Sequence, residues 1–183
     1  MTPWSVPLTP PMRAAAARHG AALPVVRTAR LTLRAPRLAD FGVYRAIACT
    51  DRGQYFGGPM TEAEAWDDFS RLTATWLLRG HGVWTAEADE AEVAGFVLIG
   101  CEPGDLEPEL GFLFLQAFEG KGLAHEAATA VRDYAFVTLG LATLVSYIDP
   151  ANPRAQALAL RLGAVLDGRV GESNVWRYVR RTV

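Results

Sequence analysis

Residues 117–136 read AFEGKGLAHEAATAVRDYAF, two glycines around a lysine at the start of a helix-like run. The first turn of a helix carries unpaired N–H groups and a partial positive charge, so it attracts anions, phosphate above all. Glycines there let the backbone approach the anion with no side chain between them. A dinucleotide fingerprint starting from Gly120 and Gly122 needs Gly or Ala at position 125, where His125 stands, and so fails. A phosphate loop needs Ser or Thr after Gly-Lys, whereas Lys121 is followed by Gly122, and so it fails too.

Other residues able to do chemistry are sparse. His125 falls in the first helical turn, where it can touch phosphate or face solvent, and His81, just before a hairpin, is a candidate for chemistry or equally a turn residue. Cys49 and Cys101 lack CxxC spacing or a nearby histidine pair, which points to free thiols. No Ser, His and acid grouping stands out for covalent catalysis. The loop CTDRGQYFGGPM holds Tyr55 and Phe56, rings that are costly to leave in water and so face something.

The elements that must position these residues follow from pattern. ARLTLRAP (29–36) alternates as a half-buried strand, and RLADFGVYRAIA is a short helix beginning near Asp40, a good capping type. Thr61 and Glu64 form a capping box ahead of a helix with Ala65, Trp66, Phe69, Leu72 and Trp76 on one face, ended by Gly80. GVWTAEA (82–88) and EVAGFVLIG (92–100) form a hairpin across the acidic turn DEA, and PELGFLFLQ (108–116) is a strand buried mid-sheet. The glycine turn then opens a helix leading to the buried strand LATLVSYID (141–149), a crossover unit. Asn152 at an N-cap, Pro153 at the first helical position and Gly163 beyond the end punctuate another helix, before two closing strands, AVLDGRV and NVWRYVRRT.

The chain has 183 residues and a net charge of -2, which suits one domain and leaves no electrostatic footprint for nucleic acid. No run approaches a membrane span. Residues 1–26 stand apart as an arm rich in proline and alanine without an acidic residue, ahead of a domain over 27–183. We expect a cytoplasmic protein with neither a nucleic-acid nor a membrane partner, monomeric or homodimeric.

EGKGLAHEA resembles the acetyl-CoA turn of the GNAT N-acetyltransferases, Q/R-x-x-G-x-G/A, with Glu119, Gly122 and Ala124 at the pattern's positions. TARLTLRAPRLADF, GVWTAEADEAEVAGFVLIG, PELGFLFLQAFEGKGLAHEA and NPRAQALALRLGA are similar, in that order, to segments of the branch containing the ribosomal-protein N-terminal (alanine/serine) acetyltransferases. The resemblance implies an α/β GNAT fold: a mixed, mostly antiparallel twisted sheet of six to seven strands with a central splay, flanked by about four helices. It implies that backbone groups of Phe112, Leu113, Phe114 and Leu115 pair with the pantetheine amides. N–H groups of Gly120, Lys121, Gly122, Leu123 and Ala124 cradle the pyrophosphate, with Lys121 near its charge. Asn152 reaches the arm near the thioester, though a plain N-cap explains it equally well.

Three departures stand out. Glu119 replaces Gln or Arg, and an acid beside pyrophosphate is unhelpful unless it points to solvent. Ala155 replaces the usual serine, and the helix after Asn152 lacks the tyrosine that many relatives keep as a general acid.

Acetyl transfer to an amine needs a neutral nucleophile by the thioester, donors for the developing oxyanion, and a proton acceptor. Glu109, in the segment ELG, is the candidate base, acting through water; an ordinary strand-edge glutamate is the plainer reading. Tyr55, Phe56 and Trp84 are candidates for the acceptor pocket, and Trp84 equally for the core. The expected function is acetyl transfer from acetyl-CoA to a primary amine by direct attack in a ternary complex, without metal. The acceptor is a small-molecule amine or a peptide N-terminus. A non-catalytic acyl-CoA-binding module is the alternative.

Overall fold

The computed structural model describes residues 2–88 and 91–180. Thr61 and Glu64 close their capping box ahead of a helix that Gly80 ends in a left-handed conformation, as the local chemistry dictates. In chain order the regular elements are α1 (Pro10–Ala21), β1 (Val26–Arg27), β2 (Thr32–Arg34), α2 (Phe41–Ala48), α3 (Glu62–Arg79), β3 (Val83–Glu87), β4 (Val93–Gly100), β5 (Glu109–Phe114), α4 (Leu123–Val137), β6 (Val145–Ile148), α5 (Pro153–Arg161), β7 (Ala164–Val170) and β8 (Ser173–Tyr178).

Among the described residues the strands form one sheet in the order β1-β2-β3-β4-β5-β6-β8-β7. All neighbours are antiparallel except β5 and β6. β3 and β4 form the expected hairpin, while Asp89 and Glu90 of its acidic turn lie outside the described residues. The sheet has eight strands rather than six to seven, because β1, two residues long, is too short to show alternation. The fifth helix is α1 in the N-terminal arm; its alanines favour helix, yet it buries no side chain and so shows no apolar period. Trp4 ties the arm down, its ring 5.1 Å from Phe41 and 5.8 Å from Trp66.

The core lies on both sheet faces. On one, Phe41, Tyr44, Ala65, Phe69 and Leu72 of α2 and α3 pack on Val83, Phe96 and Leu98. On the other, Leu123, Ala127, Val131 and Leu158 of α4 and α5 pack with Val97, Ile99, Leu110 and Phe114. Cys49 and Cys101 are free and partly buried.

Asp40 does not cap α2 with its side chain. Its carboxylate is buried and takes a bidentate pair from Arg34 at 2.7 and 3.0 Å, with further donors from Thr85 Oγ1 and the Arg37 N–H, both at 2.8 Å. Glu87 binds the Nε of the same guanidinium. Removing one member strands the others in low dielectric, so Arg34→Met is expected to cost about 3–5 kcal/mol in urea unfolding at pH 7. A loss below about 1 kcal/mol would show the network to be marginal.

Candidate functional site

β5 pairs with β4 over its whole length, from Gly95↔Phe114 to Gly100↔Glu109. Its other neighbour, β6, meets it at the single position Glu109↔Val145, where the Val145 N–H reaches the Pro108 carbonyl at 3.0 Å. Beyond that point the strands part. Ser146 Oγ bridges the start of the gap by donating to the Leu110 carbonyl at 2.6 Å.

Backbone groups alternate between the two edges of a strand. The Leu110 and Phe114 carbonyls point into the gap, the latter accepting from Arg52 Nη2 at 2.8 Å. Phe112 lies between them with the same parity. The backbones of Leu113 and Leu115 face β4 instead, the Leu115 N–H donating to Ala94 at 3.0 Å. The expectation that Leu113 and Leu115 offer backbone groups to an arm in the gap is therefore corrected: β4 holds their backbones, while those of Phe112 and Phe114 turn toward the gap.

The glycine turn follows. Gly120 (φ 71°) and Gly122 (φ 77°) are both left-handed, which bends the chain from the strand end into α4. The N–H groups of Gly120, Lys121, Gly122, Leu123, Ala124 and His125 have no acceptor among the described residues. The turn, apart from Lys121, borders a cleft of ≈ 740 Å³ that is also lined by Arg52, Phe114, Asn152 and Arg154. Lys121 sends its ammonium over the Phe118 ring, 5.0 Å from the centroid. His125 lines the cleft and its Nε2 lies 3.3 Å from the Arg161 carbonyl.

A brace that sequence inspection missed holds this turn. Arg30 Nη1 donates to the Lys121 carbonyl at 2.7 Å and its Nε to Glu126 at 2.7 Å, while Glu126 also accepts from the Arg30 N–H and from Thr28 Oγ1. The partners lie too far apart in sequence to give a local signal. Burial alone pushes the Glu126 carboxyl up, but these donors outweigh it and hold it below its usual value.

Glu119 does not face the turn as an unpaired acid. One carboxylate oxygen pairs with Arg52 and the other with Arg154. Burial acts to raise its carboxyl pKa, and the two arginines reverse the shift and lower it.

A second chamber, ≈ 120 Å³, adjoins the first across Arg52, Tyr55, Phe112, Leu113, Asn152 and Ala155. Glu109 lines it and accepts the Tyr147 N–H at 3.3 Å, bridging the strands where they part. Burial pushes the Glu109 carboxyl up to about 8; the Tyr147 N–H opposes this, and Asp105 and Glu102 add to it. Asn152 Oδ1 caps α5 by accepting the Ala155 N–H at 3.1 Å, and its amide nitrogen has no partner among the described residues. Tyr55 donates to the Ala151 carbonyl at 2.9 Å, and Phe56 packs on Tyr44.

Trp84 lies elsewhere. It is fully buried, its Nε1 donates to the Pro24 carbonyl at 3.1 Å, and its ring meets Trp76 edge-on at 4.4 Å and Tyr134 at 5.4 Å. The pocket role expected for it is corrected to a core role. β3 is buried on both faces, so no alternation marks which side this residue takes.

Among the described residues no cluster of His, Cys, Asp and Glu is arranged to hold a metal ion, and no helix is long and apolar enough to cross a membrane.

Residues 30–165 match the family model of the acetyltransferase (GNAT) domain. An acetyltransferase from Agrobacterium tumefaciens strain C58 is 40% identical and superposes with a TM-score of 0.83 over 87% of this chain and 96% of its own. The ribosomal L7/L12 alpha-N-protein acetyltransferase RimL, solved with coenzyme A, shares the fold at 15% identity, with a TM-score of 0.71 over 85% of this chain and 98% of its own. So does spermidine N-acetyltransferase from Vibrio cholerae, solved with coenzyme A and spermine, at 20% identity and a TM-score of 0.65 over 82% and 94% of the two chains.

Proposed function

The chain belongs to the GNAT acetyltransferase family, and from that premise we propose that it moves an acetyl group from acetyl-CoA to a primary amine by direct attack in a ternary complex. The observation that carries the reading is the continuity of three features in one cleft. They are the unpartnered N–H groups of Gly120 to His125, the β5 edge left open by β6 at Phe112, and Glu109 in the adjoining chamber.

Each feature fits one part of the donor. The run of N–H groups at the N-terminus of α4 suits a diphosphate, with Gly120 and Gly122 giving access and the Arg30–Glu126 brace holding the loop in shape. The Phe112 backbone suits an amide-bearing arm laid along the strand as an added strand would lie. Asn152 borders both chambers, and its amide nitrogen, without a partner among the described residues, suits an acceptor oxygen near the thioester. Bound there, acetyl-CoA supplies an activated acyl group on a thiolate leaving group.

Glu109 is the proton acceptor in this reading. Its ionised form withdraws a proton from the incoming ammonium, through water, so that a neutral amine attacks. Tyr55 and Phe56 form the aromatic wall of the smaller chamber. The acceptor is a small amine or a protein N-terminus, the two classes named for the spermidine enzyme and for RimL. A monomer or homodimer in the cytoplasm, with an arm over residues 1–26, completes the reading.

The test is release of free thiol from acetyl-CoA with a panel of polyamines, amino acid amides and N-terminal peptides, with acetylated products identified by mass. Turnover with any of these supports the reading. Tight binding of coenzyme A without turnover on any acceptor would favour a non-catalytic acyl-CoA-binding module, to which Ala155 and the tyrosine-free α5 also point.

A further inference from the structure

Glu119 stands immediately before Gly120, where the run of unpartnered N–H groups begins, and commits both carboxylate oxygens to arginines from two other elements. Arg52 belongs to the short 3-10 turn Asp51–Gly53 and Arg154 to the first turn of α5; all three side chains line the larger chamber. Among the described residues the two guanidiniums share this one carboxylate as their ion-pair partner, although Asp51 also lines the chamber. Neither guanidinium is saturated. Arg52 Nη2 serves Glu119 and the Phe114 carbonyl together, while its buried Nε has no partner among the described residues. Arg154 makes its one ion pair from a side chain that is 68% exposed. A guanidinium carries five donors in a planar fork that matches phosphate oxygens as well as it matches carboxylate.

The placement is what an anion site looks like when it carries its own counter-ion. A diphosphate cradled by the Gly120–His125 N–H groups would lie beside the Glu119 carboxylate, which repels it, and beside two arginines, which attract it. We propose that Arg52 and Arg154 grip the diphosphate of the donor, and that Glu119 is their internal counter-ion, exchanged for the diphosphate on binding. The exchange accounts for an acid at a position where it would otherwise oppose binding. It also frees the Phe114 carbonyl, which Arg52 covers, for the arm that lies along β5. The proposal rests on the coenzyme A reading given above.

Titration calorimetry of the full chain with coenzyme A, and with pantetheine, which has the arm but no diphosphate, tests it. Arg154→Ala, a change at an exposed side chain, is expected to weaken coenzyme A binding about tenfold, the loss of one charge-assisted contact, and to leave pantetheine unchanged. Glu119→Gln removes the competing anion and is expected to tighten coenzyme A about three- to tenfold, again without effect on pantetheine. Melting curves confirm that both variants are folded. Wild-type affinity in Arg154→Ala, or weaker coenzyme A binding in folded Glu119→Gln, overturns the exchange and leaves the coenzyme A reading standing. Failure of the wild-type chain to bind coenzyme A overturns both.

Discussion

Glu109→Gln is expected to lower kcat by about 10²–10⁴-fold, the usual contribution of a positioned general base, while coenzyme A affinity stays within about twofold. The pH profile carries the sharper signature. With its carboxyl near 8, Glu109 is mostly protonated at pH 7 and cannot accept a proton, so wild-type activity should climb with pH and level off above about 8. An acceptor amine that must itself lose a proton gives a similar climb, and the variant separates the two. In Glu109→Gln the limb near 8 should vanish and any limb from the amine should remain. Full activity in the variant would remove Glu109 from the mechanism.

The same group ties stability to pH in a direction opposite to most carboxylates. Its pKa is near 4.5 when exposed and near 8 in the fold, so the folded state binds the extra proton between these values. Its neutral form fits the fold at low pH; a destabilisation of at most about 5 kcal/mol accrues as pH rises from roughly 4.5 to 8. Urea unfolding of Glu109→Gln, which cannot ionise, should lack that component.

Gly122→Asp is expected to weaken coenzyme A binding by more than about 100-fold. The residue sits at φ 77°, a conformation that costs an L-residue about 1–2 kcal/mol, and a Cβ there would lie 3.4 Å from Arg30 Nη2. The added carboxylate would draw Arg30 away from Lys121 and Glu126 and put a negative charge among donors that suit an anion. Gly122→Ala shares the backbone strain without the charge and should lose only about tenfold. Equal, unchanged affinity in both variants would detach the turn from coenzyme A.

What the sequence made legible was local chemistry. The Thr61 and Glu64 box, the Asn152, Pro153 and Gly163 punctuation and the glycine turn each bind atoms a few residues apart, so their pattern survives in the linear text. The fold class came instead from the resemblance of four segments, taken in order, to the GNAT acetyltransferases. Misplaced or missed features are those that depend on which of two equivalent sides an element presents. The gap-facing edge of β5 is set by its pairing with β4, which sequence does not show, and that pairing turns the backbones of Leu113 and Leu115 away from the gap. Trp84 sits on a strand buried on both faces. Asp40 has the composition of a cap, but Arg34 and Thr85 claim its oxygens. Glu119 read as an electrostatic fault because its two arginines, one of them sixty-seven residues away, carry no mark of their destination.

The lone β5–β6 rung has a mechanical meaning. Past Glu109↔Val145 the sheet is two panels joined by a narrow hinge of main-chain bonds, one carrying β1 to β5 and the other β6, β8 and β7. Such a seam is where a protein opens first, so the β6 amides on the β5 side should exchange with deuterium faster than those of β4, which has full ladders on both edges. An arm laid against Phe112 would add the rungs the seam lacks. It would act as a structural member that fastens the panels while it holds the acyl group, and slowed exchange in both panels would register its arrival.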